Sequence, residues 1–202
     1  MNKAVFYDRD GVINEMAYDA ENGLVHIPWS VNEVVLNHGI IELLKTTKEL
    51  DFLNVIISNQ PDIGLNRISE KKFNNIKEGI LQKIKDENAV VDKAYYCFHH
   101  PFAKLEEYKK NCDCRKPKMG LFLQAAKEMD IDLSLSWMIG DGIFDIVAGH
   151  NAGCKTILIA NNVQTGHLKT IEEKLGNIKP DFIVKNLDEV RKIFTGSPPT
   201  RG

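Results

Sequence analysis

The sequence contains no apolar run long enough to cross a membrane and no cluster of basic residues. A transmembrane helix needs about 20 consecutive apolar residues, and no segment of the 202 residues approaches that length. Lysine and arginine total 26 against 28 acidic residues, which gives a formal net charge of −2. A basic surface for nucleic acid or anionic lipid is therefore not expected. The N-terminus also lacks the pattern of a secretory signal, so we expect a cytoplasmic protein that binds neither nucleic acid nor a membrane.

Cysteine is scarce and unevenly distributed. There are four cysteines, and a cytosolic chain is not expected to join them in disulfides. Cys97, Cys112 and Cys114 fall within eighteen positions, whereas Cys154 lies apart and is expected to be a small buried thiol between a helix and a strand. Internal repeats and low-complexity segments are missing as well. We therefore expect one domain over residues 1–195 and a disordered tail at 196–202.

Short apolar segments alternate with amphipathic segments along the chain. Strands are predicted at 5–7, 52–57, 94–96, 137–139, 156–159 and 182–184, and helices at 40–50, 69–84, 121–129, 145–152 and 187–194. The segment at 52–57 is almost entirely apolar, which is typical of a strand buried on both faces. The alternation predicts an α/β fold with a doubly wound, Rossmann-like parallel sheet.

Polar residues follow the carboxyl ends of several predicted strands, where the active sites of such sheets lie. Two carboxylates two positions apart on extended backbone would point the same way, which is unfavourable unless a metal ion lies between them or one is protonated. Asp8 and Asp10 form such a pair directly after the first predicted strand. They therefore favour a metal-assisted site with a carboxylate free to attack, although turns also use Asp and Gly. The candidates at these strand ends are Asp8, Asp10, Ser58, Asn59, Gln60, Asp141 and Asp145, and the cations Arg115 and Lys116 precede a predicted helix.

Each of these groups also has an ordinary structural explanation. Ser58 could belong to a turn or a helix cap, Asp141 could be an N-cap, and Lys116 could be a solvated surface charge. Their common position at strand ends and helix entrances favours the functional interpretation.

A second constellation combines three thiols with an imidazole in C-x-H and C-x-C halves. Three cysteines and one histidine form a closed tetrahedral zinc set, which holds structure rather than reacts. Zinc here would fix the segment 97–114 and so place the next two residues, Arg115 and Lys116, beside the site at the strand ends. The alternative is a group of unrelated thiols, and His100 could replace His99 as the fourth ligand. The predicted ligands are Cys97, His99, Cys112 and Cys114.

With these motifs the sequence resembles the haloacid dehalogenase superfamily of phosphotransferases over most of its length. The resemblance implies that Asp8 is the nucleophile that forms an aspartyl-phosphate, and that Asp10 is the acid/base residue. The other roles that the family implies are phosphate contact for Ser58 and Lys116, Mg²⁺ binding for Asp141 with Asp8 and Asp10, and a supporting role for Asp145.

Five segments narrow the resemblance to the heptose-bisphosphate and histidinol-phosphate phosphatase group. They are DRDGVIN at 8–14, SNQ at 58–60, CFHHP at 97–101, CDCRKP at 112–117 and NAG at 151–153. Membership would imply a phosphomonoester hydrolase without a large cap domain, with catalytic Mg²⁺, structural Zn²⁺ and a small sugar phosphate as substrate. The implied reaction removes the 7-phosphate of D-glycero-D-manno-heptose 1,7-bisphosphate, and we expect a monomer. The implied substrate-binding residues are Ser58, Asn59, Gln60, Arg115 and Lys116.

The sequence departs from the group near the expected far end of the substrate. Pro61 and Asp62 replace a Ser-Gly pair, and Gly142 stands where a lysine is often found. These changes leave the catalytic groups intact, so the reaction is more firmly implied than the substrate. Histidinol phosphate or another sugar or polyol phosphate is the alternative substrate. A non-enzymatic phosphoacceptor and a zinc-bearing binding domain are alternatives of another class.

Overall fold

The computed structural model describes residues 1–160, 170, 171 and 173–196. The strands among them are β1 (Lys3–Tyr7), β2 (Ala17–Asp19), β3 (Leu24–His26), β4 (Phe52–Asn59), β5 (Lys93–Cys97), β6 (Trp137–Gly140), β7 (Lys155–Ile159) and β8 (Phe182–Val184). The main helices are α1 (Ile40–Glu49), α2 (Glu70–Asp86), α3 (Gly120–Met129), α4 (Ile143–Asn151) and α5 (Leu187–Phe194). No helix among these residues is long and apolar enough to span a membrane.

Six of the strands form one parallel sheet in the order β5-β4-β1-β6-β7-β8. The chain builds outward from β1 to β5 on one side and then returns to build β6, β7 and β8 on the other. The strand order therefore reverses beside β1, and ligands of such sheets bind outside the carboxyl ends at this point. The prediction of a doubly wound parallel sheet is confirmed.

Helices cover both faces of the sheet because the side chains of β1 alternate between two apolar cores. Val5 and Tyr7 pack in the core that includes the apolar faces of α1, α2 and α5. Ala4 and Phe6 pack in the core that includes α3 and α4. All four side chains are fully buried, so β1 is held on both faces and its carboxyl end is a rigid base for a site.

The structure extends five of the six predicted strands and adds a hairpin. Strand β4 continues through Ser58 and Asn59 because these residues pair with Tyr96 and Cys97 of β5. Strands β2 and β3 form a separate antiparallel hairpin, which was not predicted because its three-residue strands are largely exposed and show no clear alternation.

The predicted start of the second helix and the predicted position of Cys154 can both be compared with the structure. The hydroxyl of Ser69 accepts a hydrogen bond from the backbone N–H of Lys72 at 3.2 Å and so caps α2. Cys154 is buried between α4 and β7, as predicted. The disordered tail predicted at 196–202 lies outside the described residues, apart from Gly196.

Candidate active site and metal-binding loop

A pocket of about 650 Å³ opens at the carboxyl edge of the sheet. It brings together residues that follow β1, β4 and β6 with the two cations that precede α3. Most of the residues that the sequence singled out therefore meet in one place. The pocket is lined by Asp8, Asn59, Pro61, Arg115, Lys116, Asp141, Gly142, Ile143, Phe144, Asp145 and Lys174.

Lys116 lies buried at the base of this pocket, with 2% of its surface exposed. Its Nζ atom is 2.9 Å from Asp8 Oδ1 and 2.5 Å from Asp145 Oδ1, and it donates a hydrogen bond to the carbonyl oxygen of Ile57 at 2.9 Å. Burial alone would lower the pKa of Lys116, but the carboxylates of Asp145 and Asp8 raise it above its ordinary value. Lys116 is thus a buried ammonium that joins two carboxylates, not a solvated surface charge.

Three carboxylates converge above Lys116. Single oxygen atoms of Asp8, Asp141 and Asp145 all lie within 4.8 Å of one another. Loss of solvent around the carboxyl group, followed by the charges of Asp8 and Asp145, raises the pKa of Asp141 to about 7. The residue as a whole is exposed at the pocket mouth, and solvent there screens part of this effect. Burial also raises the pKa of Asp145 to about 6, although Lys116 acts in the opposite direction. Like charges so close together favour an additional cation between them.

Two glycines allow this close approach. Gly11 has φ of +84°, and a Cβ atom at this position would lie 2.0 Å from Asp141 Oδ2. A Cβ atom on Gly140 would lie 2.2 Å from the Cβ atom of Asp145. A side chain at either position would push apart the carboxylates that form the cluster.

Asp10 is not part of this cluster. Arg9 holds its carboxylate with Nη2 at 2.8 Å and Nε at 3.1 Å from both oxygens. Asn14 Nδ2 donates to Oδ1 at 3.1 Å and Gln60 Nε2 donates to Oδ2 at 2.6 Å. We call Arg9, Asn14 and Gln60 the Asp10 cradle. Strand β1 ends before Asp8, so the two aspartates do not lie on the extended strand backbone that the sequence argument assumed.

The segment 58–60 supports its neighbours through side-chain hydrogen bonds. The hydroxyl of buried Ser58 accepts a hydrogen bond from Gln60 Nε2 at 3.0 Å. The amide of Asn59 both accepts from the backbone N–H of Lys116 and donates to its carbonyl oxygen, each at 3.0 Å. Asn59 therefore fixes the backbone that carries Lys116.

The predicted zinc ligands also lie together, and their donor atoms are within 4.8 Å of one another. The Cys114 sulfur is 3.1 Å from that of Cys112, 3.2 Å from that of Cys97 and 3.2 Å from His99 Nδ1. His100 instead accepts a hydrogen bond at Nδ1 from the backbone N–H of Phe102. Three thiols and one imidazole form a set that suits structural Zn²⁺.

This loop contacts the pocket through two backbone carbonyl groups. The carbonyl oxygen of Cys97 accepts a hydrogen bond from the backbone N–H of Gln60 at 2.7 Å, and that of His99 accepts one from Arg115 Nη1 at 3.3 Å. The shape of the cysteine-rich loop therefore affects both the Asp10 cradle and a pocket cation.

Comparison with known proteins agrees with this geometry. A family model described as HAD-hyrolase-like matches residues 113–190. The D-glycero-beta-D-manno-heptose-1,7-bisphosphate 7-phosphatase of Pasteurella multocida is 35% identical over 196 residues, which cover 97% of this chain and 98% of that protein. The chain belongs to the haloacid dehalogenase-like hydrolase family. The enzyme of the same name from Haemophilus ducreyi is 36% identical over 186 residues, which cover 92% of this chain and 94% of that one.

Solved structures of this hydrolase family share the fold. The D,D-heptose 1,7-bisphosphate phosphatase of B. bronchiseptica, solved with magnesium and phosphate, matches with a TM-score of 0.76 at 24% identity and covers 96% of this chain and 98% of that chain. A putative HAD-like phosphatase of Mesorhizobium loti matches with a TM-score of 0.75 at 22% identity, and the match covers 100% of this chain and 90% of that chain.

Several residues of the site were not predicted from the sequence. Arg9 and Asn14 of the Asp10 cradle are buried, but their polarity suggested exposure, and only the position of Arg9 between two acidic residues was a signal. Phe144 and Lys174 line the pocket, and no local pattern distinguishes them from surface residues.

Proposed function

We propose that this haloacid dehalogenase-like hydrolase removes the 7-phosphate of D-glycero-D-manno-heptose 1,7-bisphosphate through an aspartyl-phosphate intermediate. One structural observation carries the proposal: buried Lys116 joins Asp8 to Asp145 at the base of a pocket that Asp141 completes. The choice of substrate rests on the two full-length relatives that carry this enzyme's name.

The donor set of the pocket fits Mg²⁺. Three carboxylates face a single ammonium group in the cluster, and Mg²⁺ prefers carboxylate oxygens together with substrate phosphate and water. Asp8, Asp141 and the backbone carbonyl of Asp10 would hold the ion. Bound there, it would offset the negative charge of the phosphate and of the attacking carboxylate.

The residues divide the reaction into two steps. Asp8 attacks the phosphorus while Asp10 gives its proton to the leaving sugar oxygen. Asp10 then takes a proton from the water that hydrolyses the aspartyl-phosphate. Lys116 stabilises negative charge on the transferring group, which is the main demand of phosphoryl transfer, and Asp145 supports Lys116. Ser58 would contact the transferring phosphate.

Binding of the substrate involves Arg115 at the pocket wall and the segment 58–60. Asn59 acts by holding the backbone of Lys116, and Gln60 by its contacts with Asp10 and Ser58. A structural Zn²⁺ held by the cysteine-rich loop would fix Arg115 through His99. A single domain over 1–195, a cytoplasmic location and a monomeric state complete the proposal.

Phosphate release from a panel of esters tests the function. The panel contains both anomers of heptose 1,7-bisphosphate, fructose 1,6-bisphosphate and histidinol phosphate, each with and without added Mg²⁺. We expect the highest kcat/KM for a heptose bisphosphate, only with Mg²⁺, and heptose 1-phosphate as the product by phosphorus NMR. A higher kcat/KM for histidinol phosphate would select the alternative substrate. Absence of release from every ester by the folded wild type would reject a phosphatase.

A further inference from the structure

The Asp10 cradle contains an unusual share of unpaired polar atoms. Five buried side-chain polar atoms lack a hydrogen-bond partner among the described residues. Three of them belong to the cradle: Arg9 Nη1, Asn14 Oδ1 and Gln60 Oε1. Buried polar groups are nearly always paired, so a concentration of exceptions requires an explanation. Each of these three side chains contacts the carboxylate of Asp10 through another of its polar atoms.

Arg9 is the least expected member of the cradle. Its side chain is 1% exposed, and its guanidinium lies 5.7 Å from the ring centroid of Phe73. Apolar residues of similar volume often replace a buried ion pair without loss of stability, so stability alone does not account for Arg9. A planar guanidinium that contacts both carboxylate oxygens does fix the position and the plane of that carboxylate.

We propose that Arg9 is a positioning residue that orients the carboxyl group of Asp10 for proton exchange with the leaving oxygen. The inference rests on the proposed function. In the first step the bond between Asp8 and phosphorus forms, the bond from phosphorus to the sugar oxygen breaks, and the proton of Asp10 moves to that oxygen to give an alcohol. In this role Arg9 acts through Asp10 and is not required to contact the substrate or the phosphate.

Two esters with different leaving groups separate this role from a merely structural one. An alkoxide such as that of a sugar leaves only with a proton, whereas p-nitrophenolate leaves without one. The value of kcat/KM includes steps only as far as release of the leaving group. We expect Arg9→Met to lower kcat/KM for the sugar phosphate by about 100-fold or more and to leave that for p-nitrophenyl phosphate within about threefold. Equal losses on both esters by a folded variant would overturn the inference.

A double-mutant cycle tests whether Arg9 acts only through Asp10. Asp10→Asn should show the same selective loss on the sugar phosphate. The double variant Arg9→Met/Asp10→Asn should then be no slower on that ester than Asp10→Asn alone, because the target of Arg9 is already inactive. Additive losses would contradict the proposed role.

Further variants keep the test decisive. Arg67→Met removes another arginine–carboxylate pair, that of Arg67 with Asp62 at 3.1 Å, and should leave the ratio of the two kcat/KM values unchanged. Arg9→Lys keeps the charge without the planar contact, and its kcat/KM for the sugar phosphate should lie between those of wild type and Arg9→Met.

Asn14→Ala is the second variant if Arg9→Met does not fold. It should give a smaller loss of kcat/KM, again on the sugar phosphate only, and an equal loss on both esters would refute the inference. A wild type inactive on both esters would instead reject the proposed function.

Discussion

Replacement of Lys116 by methionine should destabilise the protein strongly at pH 8 and less at pH 5. Lys116 contacts Asp8, Asp145 and the carbonyl of Ile57, and only 2% of its surface is exposed. Methionine fills similar space but leaves two carboxylates without their cation. Removal of one partner from a buried ion pair costs about 3–5 kcal/mol, which is a large part of the stability of a typical domain.

The pH dependence follows from Asp145. Its pKa is about 6, raised from 3.8 by burial first, even with Lys116 beside it, and loss of the ammonium raises this pKa further. A carboxyl group with a raised folded-state pKa stabilises fully below its unfolded pKa, and this contribution disappears as pH rises through the folded-state value. At about pH 5 Asp145 of the variant is protonated, so the deficit in unfolding free energy should shrink between pH 8 and pH 5.

Urea denaturation without added Mg²⁺ at the two pH values measures the deficit. Lys93→Met is the matched control, because Lys93 Nζ lies 2.6 Å from Glu128 Oε2 in a pair that solvent reaches. In the wild type, hydrogen bonds, that from Lys93 first, lower the pKa of Glu128 to about 2. In the variant the hydrogen bonds from Gln124 and Tyr95 remain and still favour the ionised carboxylate. The control should lose little stability and show no pH dependence. The reasoning fails if Lys116→Met loses no more than the control at pH 8, or if its deficit is the same at pH 5.

Three further predictions concern the nucleophile, the loop and the carboxylate cluster. Asp8→Asn should abolish phosphate release from every monoester without change in circular dichroism; retained turnover would exclude Asp8 as the nucleophile. Metal analysis of purified protein should find about one equivalent of zinc, and Cys112→Ser should lower both zinc content and melting temperature; less than about half an equivalent in the wild type would count against the zinc site. Gly11→Ala should weaken Mg²⁺ binding by calorimetry, because a Cβ atom would collide with Asp141 and φ of +84° is unfavourable for alanine. Unchanged Mg²⁺ affinity would show that the cluster tolerates the displacement.

Much of the fold could be predicted from the sequence, because strands of a parallel sheet are buried on both faces and therefore appear as continuous apolar runs. The run at 52–57 is apolar on both faces, and the structure buries β4 between two neighbouring strands. The polar residues Ser58 and Asn59 did not signal a strand, yet they continue β4 because β5 offers them backbone partners. The β2–β3 hairpin leaves Tyr18, Leu24 and Val25 exposed, so burial imposes no periodic pattern on it.

The site was predictable where a residue type at a strand end has few alternatives. Asp8, Asp141 and Lys116 meet because the sheet aligns the carboxyl ends of distant strands. The surroundings of Asp10 were not predictable in this way. They depend on a turn that brings the side chain of Arg9 back onto its own neighbour, and periodicity carries no information beyond the end of the strand.

This turn allows two carboxylates of one short motif to perform different tasks. Asp8 shares the ammonium of Lys116 with Asp145, and Asp10 is held by the guanidinium of Arg9. In the proposed mechanism Asp8 attacks the phosphorus, whereas Asp10 exchanges a proton with the leaving oxygen. The residue between the two aspartates is therefore part of the proposed chemistry, because it holds the carboxyl group of Asp10 apart from the ammonium that Asp8 shares with Asp145.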